Sequence, residues 1–234
     1  LIKDLGHEIT PLAPSLFTFK CSHPIINGLP GTSLQSASLT LEVEGKKFKQ
    51  IGPILITHWG FSGPAVLKLS AFAARELKKS AYKATLKINW CDQLSEEEIY
   101  QKLKKEKSLN SKKQAHNSKL FNFSKRFWER ICELNKLKQK SWGETSDKDL
   151  RKLSHFLNQE RYKVAGKGEF KDEFVTCGGV SLKEINLNSF ESKIHPGLYF
   201  AGEVLDVDGI TGGFNFQNAW SSSYQVAKAV TKSN

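Results

Sequence analysis

The sequence predicts an α+β chain in three parts: a β-rich unit, a basic helical unit, and a closing strand-and-helix segment. Three observations carry this expectation. Apolar residues alternate with polar ones around 39–43 and 82–88, as half-buried antiparallel strands require. Helical spacing and cap residues dominate 93–158, and the last 38 residues combine paired glycines with a long run of small residues (197–234).

In chain order, residues 1–14 (LIKDLGHEITPLAP) are expected to finish a helix at Gly6 and then run as a Pro-punctuated extended connection. Residues 15–92 form the β-rich unit. Leu39, Leu41 and Val43 alternate with Thr40 and Glu42, and Tyr82, Ala84, Leu86 and Ile88 alternate with Lys83, Thr85 and Lys87. Within that unit a buried strand, Ile54 to Thr57, meets a Gly-rich turn. Pro64 then opens a helix with Val66, Leu69, Ala73 and Leu77 inward.

Residues 93–158 form the helical unit. Ser95 precedes three glutamates, an N-cap followed by dipole-compensating acids, and Ser146 caps a helix with Leu150, Leu153 and Leu157 on one stripe. Residues 159–172 are expected to return as a strand to the β-rich unit, and 173–234 to form the closing segment. There, Leu198 to Ala201 is expected to be a short buried strand, and Ser221, Ser222, Ser223, Ala227 and Ala229 keep the last helix slim for close packing.

Composition excludes several functions. No run of about 18 apolar residues exists, and the first 30 residues mix charges with apolar groups, so neither a membrane helix nor a signal peptide is expected and the cytoplasm is the expected location. The four cysteines (Cys21, Cys91, Cys132 and Cys177) form no CxxC pair and are read as reduced thiols. His7, His23, His116, His155 and His195 stand singly, without HxH or HxxxH spacing, so no metal site is expected and they are read as surface or turn residues. Trp128, Trp142 and Trp220 are expected to fill core or inter-domain space. The absence of Met and the opening in mid-element suggest part of a longer polypeptide.

The net charge of +11 is concentrated rather than spread. Residues 101–140 hold 13 Lys and Arg against 3 Glu, a local +10. With Phe121, Phe123, Phe127 and Trp128 interleaved, this segment has the chemistry of an RNA-binding module, although a solvated helical face explains it more simply.

The stretch with most chemical content is GLYFAGEVLDVDGITGGFNFQNAWSSSYQVAKAV (197–230). Gly212 and Gly213 allow positive φ, and the following helix points its free N–H groups and positive dipole end back at that turn. Such a terminus favours a developing negative charge, of the kind a reduced flavin carries at its pyrimidine edge.

This stretch resembles the C-terminal flavin motif of the bacterial NAD(FAD)-utilising dehydrogenase family, which includes aminoacetone oxidase and BaiN-like flavoproteins. ITHWGFSGPAVLKLS (56–70), DEFVTCGGVSLKEI (172–185) and the leading LGHEITPLAPSL resemble the same family in the same order, while 93–158 matches by position only. The resemblance implies an α/β flavoprotein of the two-dinucleotide-binding type. This chain would supply its β-rich and helical inserts and the last segment of its FAD domain. It implies hydride transfer between NAD(P)H, FAD and a small organic substrate or oxygen. The GxGxxG fingerprint is absent, so an upstream N-terminal FAD-binding segment would complete the site.

Carried over by position, Gly202, Glu203 and Asp206 resemble the turn that meets the ribityl and phosphate end. Gly212, Gly213, Phe214 and Asn215 would line the pyrimidine edge, with Gln217 and Asn218 as weaker candidates. Thr176, Gly178, Gly179 and Val180 resemble the segment crossing the flavin face, where paired glycines would make room for a flat ring. His58, Trp59, Ser62 and Cys177 are the candidates for chemistry, and no general base is assigned.

Overall fold

The computed structural model describes residues 1–168 and 174–232. The expected boundary between 172 and 173, and the first two residues of the 172–185 motif, lie outside the described residues. Strands β1 (Ile9–Ser15) and β2 (Phe19–Cys21) lead into a long hairpin, β3 (Ser33–Val43) and β4 (Lys46–Ile56), followed by β5 (Gly60–Ser62), α1 (Pro64–Phe72), α2 (Ala74–Lys79) and β6 (Ala84–Asn89). Helices α3 (Glu96–Leu109), α4 (Lys125–Leu134) and α5 (Asp147–Gln159) follow, then β7 (Glu160–Lys167), β8 (Val175–Val180), the two-residue strands β9 (Ile185–Asn186) and β10 (Glu191–Ser192), and α6 (Phe214–Lys232).

Six strands close into a barrel in the order β2-β5-β4-β3-β6-β7, so the expected β-rich unit is a barrel and the expected return strand seals it. Alternation decides which side chains fill it. Leu39, Leu41 and Val43 on β3, Leu86 and Ile88 on β6, and Tyr162 and Val164 on β7 are all buried, whereas the residues between them face outward. The β3–β4 register slips between Leu34 and Ala37, where Ala37 faces Gly52, and this bulge helps the sheet bend into closure. Inside, Trp90 donates its indole N–H to the Tyr162 hydroxyl at 2.9 Å, and burial holds the phenol neutral by pushing its pKa well up.

The helices form as their caps predict. Ser95 and Glu98 make a reciprocal capping box at α3, and Ser146 and Asp149 make one at α5. Ile99 and Leu103 of α3 and Leu150, Leu153 and Leu157 of α5 are fully buried, and the Arg151 guanidinium lies 3.5 Å from the centroid of the Tyr100 ring. The apolar core runs without a break from the barrel into these helices, through Trp90, Phe127 and Leu157. Residues 92 and 93 therefore mark a change of secondary structure inside one packed body.

Four expectations need correction. Residues 2–6 are turns, not a helix end, closed by the Leu5 N–H on the Leu1 carbonyl at 3.1 Å and the Gly6 N–H on the Lys3 carbonyl at 2.9 Å; Gly6 keeps the expected positive φ of 82°. The Pro-punctuated connection that follows is β1, which tolerates Pro11 and Pro14 beside a register irregularity between Thr10 and Ala13. Residues 198–201 make only a single bridge, Tyr199 to Glu191, instead of a strand. On α6 only Ser222 of the small residues is buried, while Ser221, Ser223 and Ala227 are exposed and Trp220 is 69% exposed; Trp128 and Trp142 are buried as expected.

Tyr162→Phe should strand the buried Trp90 N–H, costing on the order of 1–3 kcal/mol in denaturant-unfolding free energy. Unchanged stability would mean that the barrel core does not depend on that bond.

Candidate functional site

After the barrel and helices, β8 returns to pair antiparallel with β1, Ile9 opposite Val180 and Ser15 opposite Val175. This pairing fixes the TCGGV turn. Gly178 has φ +98°, and a Cβ there would meet the Pro11 carbonyl oxygen at 2.6 Å; one on Gly179 would meet the Leu205 carbonyl carbon at 2.5 Å. The space beside both glycines is thus taken by backbone from β1 and from residues 204–205. Thr176, Gly178, Gly179 and Glu203 line a cavity of about 710 Å³ whose outer wall is the N-terminal segment. Val180 lies in the buried cluster with Ile185, Phe200 and Leu205, and its carbonyl accepts the Asp206 backbone N–H at 3.0 Å.

Gly202 (φ +77°) begins a short 3-10 turn, and its N–H donates to Ser222 Oγ at 2.9 Å, which fastens α6 to the turn. The Glu203 carboxylate accepts the Thr176 N–H at 2.7 Å, joining this turn to β8. Gly212 (φ +121°) and Gly213 (φ +84°) then reverse the chain into α6. The loop is cinched by Asn215, which accepts from Gly209 N–H at 2.7 Å and donates to the Gly209 carbonyl at 3.0 Å.

Gly212, Gly213, Glu203, Asn215 and Asn218 line a second cavity of about 390 Å³ at the N-terminus of α6. Among the described residues, no acceptor takes the N–H groups of Phe214, Asn215 or Phe216. A helix mouth with unsatisfied donors facing an apolar-walled cavity suits an anionic, flat group. Phe214 itself is 57% exposed, beside Phe216 and Trp220.

Asp206 pairs with Arg75 of α2 at 3.1 Å, a half-exposed bond that joins the closing segment to the barrel's helical flank. Cys177 is buried, and burial together with the neighbouring Asp208 charge pushes its thiol up to about 11, so a thiolate is disfavoured there. Burial likewise raises the Asp208 carboxyl, with the Asp206 charge adding to it. His58 and Ser62 sit apart on the barrel. His58 is exposed beside Trp59, Ser62 Oγ accepts from Thr18 Oγ1 at 2.9 Å, and neither residue lines either cavity.

One arrangement is invisible in the sequence pattern. His7, expected as a surface or turn residue, is 3% exposed. Its Nδ1 lies 2.8 Å from Glu184 Oε2 and its Nε2 lies 3.0 Å from Ser192 Oγ. A carboxylate only accepts, so a ring proton sits on Nδ1; in that neutral tautomer the serine hydroxyl donates to Nε2. Ser192 Oγ also accepts the N–H groups of Ile194 and His195, at 3.0 and 2.8 Å. These bonds use the hydroxyl fully and tie residues 7, 184 and 192 together as a latch. His195 is bonded in turn to the Leu5 carbonyl. Of the other histidines, His23 caps the turn at Pro24–Ile26 through Nδ1, and His155 meets Glu96 on the surface. No group of three or more metal-ligating side chains occurs among the described residues.

A six-stranded barrel with a helical insert, closed by a strand pair that carries a helix mouth, defines the class of protein. The chain belongs to the family described as HI0933-like protein barrel and H2TH domain, which matches residues 13–175. It is similar to ribosomal RNA dihydrouridine synthases of Escherichia coli, 29% identical over 97% of this chain and 54% of that protein, and of Haemophilus influenzae, 29% identical over 99% and 55%. It is also similar to the 3-dehydro-bile acid delta(4,6)-reductase of Clostridium scindens, 28% identical over 99% of this chain and 57% of that protein. The chain thus spans about half the length of these curated relatives. No helix among the described residues is long and apolar enough to cross a membrane.

The hydrogen bond from His7 holds the Glu184 carboxyl below its ordinary value of 4.5. A depressed carboxyl contributes stability that is present above its unfolded pKa and lost as pH falls through the folded one. Glu184→Gln should therefore melt lower at neutral pH, and its melting temperature should fall less than the wild type's on acidification below about 4.5. Parallel melting curves for the two proteins across that range would contradict the latch.

Proposed function

We propose that this chain is the C-terminal part of an FAD-dependent reductase, with NAD(P)H as electron donor and the mouth of α6 meeting the pyrimidine edge of the flavin. The observation that carries the reading is the 390 Å³ cavity behind Gly212 and Gly213, lined by Asn215 and Phe216, whose N–H groups have no acceptor among the described residues. The relative named as a reductase lends it support at the level of the family.

The residues present fit such a group. Gly212 and Gly213 keep side chains away from the mouth, and Asn215 holds the loop shape by its paired bonds to Gly209. Glu203 faces both cavities, which suits an acceptor for ribityl hydroxyls, and Gly202 lets α6 approach through Ser222. When bound, a flavin supplies hydride transfer between the nicotinamide and the substrate; the protein's part is position and electrostatics. The N-terminal dipole of α6 favours negative charge at that edge, and the walls of Val175, Val207 and Ile210 keep water from it. The remaining FAD contacts would come from an upstream segment with the dinucleotide fingerprint.

The names of the relatives suggest the bond reduced. A dihydrouridine is a uridine with one ring double bond saturated, and a delta(4,6)-reductase saturates ring double bonds, so both names describe reduction of a carbon–carbon double bond. We infer that this protein does the same, with an RNA base as the favoured substrate because two of the relatives carry that name and residues 101–140 are so basic. An RNA-binding module without redox chemistry is the weaker reading, since membership of this family accompanies a reductase.

The protein as its gene encodes it should purify yellow and lose its flavin absorbance when NAD(P)H is added without oxygen. Gly213→Val forces a branched side chain to φ +84°, with no atom within 4 Å to clash, so flavin occupancy should fall severalfold while the barrel still melts cooperatively. A colourless wild-type protein, or full occupancy in the variant, would contradict the proposal.

A further inference from the structure

A third cavity, of about 770 Å³, lies where the barrel meets the helical unit, and it shares no lining residue with the two cavities at the closing segment. Its volume is that of a small-molecule pocket. One wall is aromatic: Phe121 and Phe123 are 5.6 Å apart between ring centroids, Phe123 and Phe127 5.0 Å, and Phe127 and Trp90 5.1 Å, with Phe121 and Phe123 half exposed. Lys102, Lys105 and Lys119 line it, all exposed, and none forms a salt bridge within 4.0 Å among the described residues. The two carboxylates present are unlike each other. Glu106 is engaged by Ser118 at 2.6 Å and by Lys113 at 3.9 Å, whereas Asp92 has a buried Oδ1 with no hydrogen-bond partner.

The backbone around this cleft is also unusual. Asp92, Phe121 and Asn122 all adopt positive φ, at 63°, 56° and 56°, a conformation that costs a side-chain-bearing residue energy and concentrates at binding sites. Gln35 and Ser36, which also line the cleft, fall within the irregular stretch of the β3–β4 pairing.

We propose that this cleft holds a segment of single-stranded polynucleotide. The lysines meet phosphates, Phe121 and Phe123 offer ring faces to bases, and Asp92 Oδ1 accepts an N–H from a base edge. An acidic peptide would satisfy the lysines and bring backbone N–H groups to Asp92, but it brings no row of flat rings to the aromatic wall. The inference deepens the RNA-base reading of the proposed function, yet it rests on residues remote in sequence from the flavin candidates and is tested without flavin chemistry.

The test is fluorescence anisotropy of labelled 12-nucleotide RNA and DNA single strands, and of the matching duplex, on the protein as its gene encodes it. Single strands should bind more tightly than duplex, with affinity falling as salt rises. Lys102→Gln/Lys105→Gln/Lys119→Gln should lower the salt-dependence slope by about 0.7 for each phosphate no longer neutralised, roughly 2 in all. Phe121→Ala and Asp92→Ala, which removes the acceptor, should each weaken binding by about tenfold. Lys136→Gln/Lys148→Gln/Lys152→Gln removes the same charge away from the cleft and should change affinity less than twofold. Melting curves and flavin content should stay at wild-type values in the lysine triples, which separates this proposal from the flavin reading. Absent binding, equal weakening in the two triples, or equal displacement by polyglutamate would overturn it.

Discussion

The antiparallel pairing of β1 with β8 is the constraint on which the remaining arrangement depends. Between those strands the chain makes a full excursion through barrel and helices, and their pairing brings the N-terminal segment and the TCGGV turn back together. The approach is close enough to demand glycine. Side chains at 178 and 179 would drive into backbone from residues 10–11 and 204–205. The His7 latch and the Arg75–Asp206 pair fasten the same junction from two further directions.

From that junction the candidate site follows by short steps. Glu203 accepts the Thr176 N–H, the Gly202 N–H donates to Ser222 of α6, and α6 thereby presents its open end beside Gly212 and Gly213. Each link is a backbone group held by a side chain, so the geometry is set by hydrogen bonds more than by apolar packing. That explains how α6 can keep most of its face exposed, Phe216, Trp220 and Tyr224 included, and still hold a defined position.

Much of this is legible in the sequence wherever the signal is local. Alternation at 39–43, the capping pairs Ser95/Glu98 and Ser146/Asp149, and Pro64 at a helix start all act over a few residues and form as expected, whereas of the alternation expected at 82–88 the strand takes 84–88 and Tyr82 lies in a turn at φ 62°. Barrel closure is not legible, because period two reports which face is buried and not which strands pair. The burial of His7 is hidden for a similar reason, since its partners lie 177 and 185 residues away. Trp220 and the small residues of α6 mislead by composition: size suggests packing, but the helix position decides which residues face the turn, and only Ser222 does so closely. The paired glycines at 178–179 suggest space for a ring, whereas their neighbours are backbone; the signal for glycine is present in the sequence, and its cause is not.

In the proposed site the decisive effect is electrostatic, with the N-terminus of α6 stabilising negative charge on a bound flavin. The direct measurement is the two-electron potential of that flavin in wild type and in Gln217→Glu, which adds a negative charge in the first turn, where acids favour the helix itself. A potential lower by on the order of 10 mV, with melting temperature unchanged or raised, is the predicted result. An unchanged potential in a well-folded, flavin-replete variant would contradict the account.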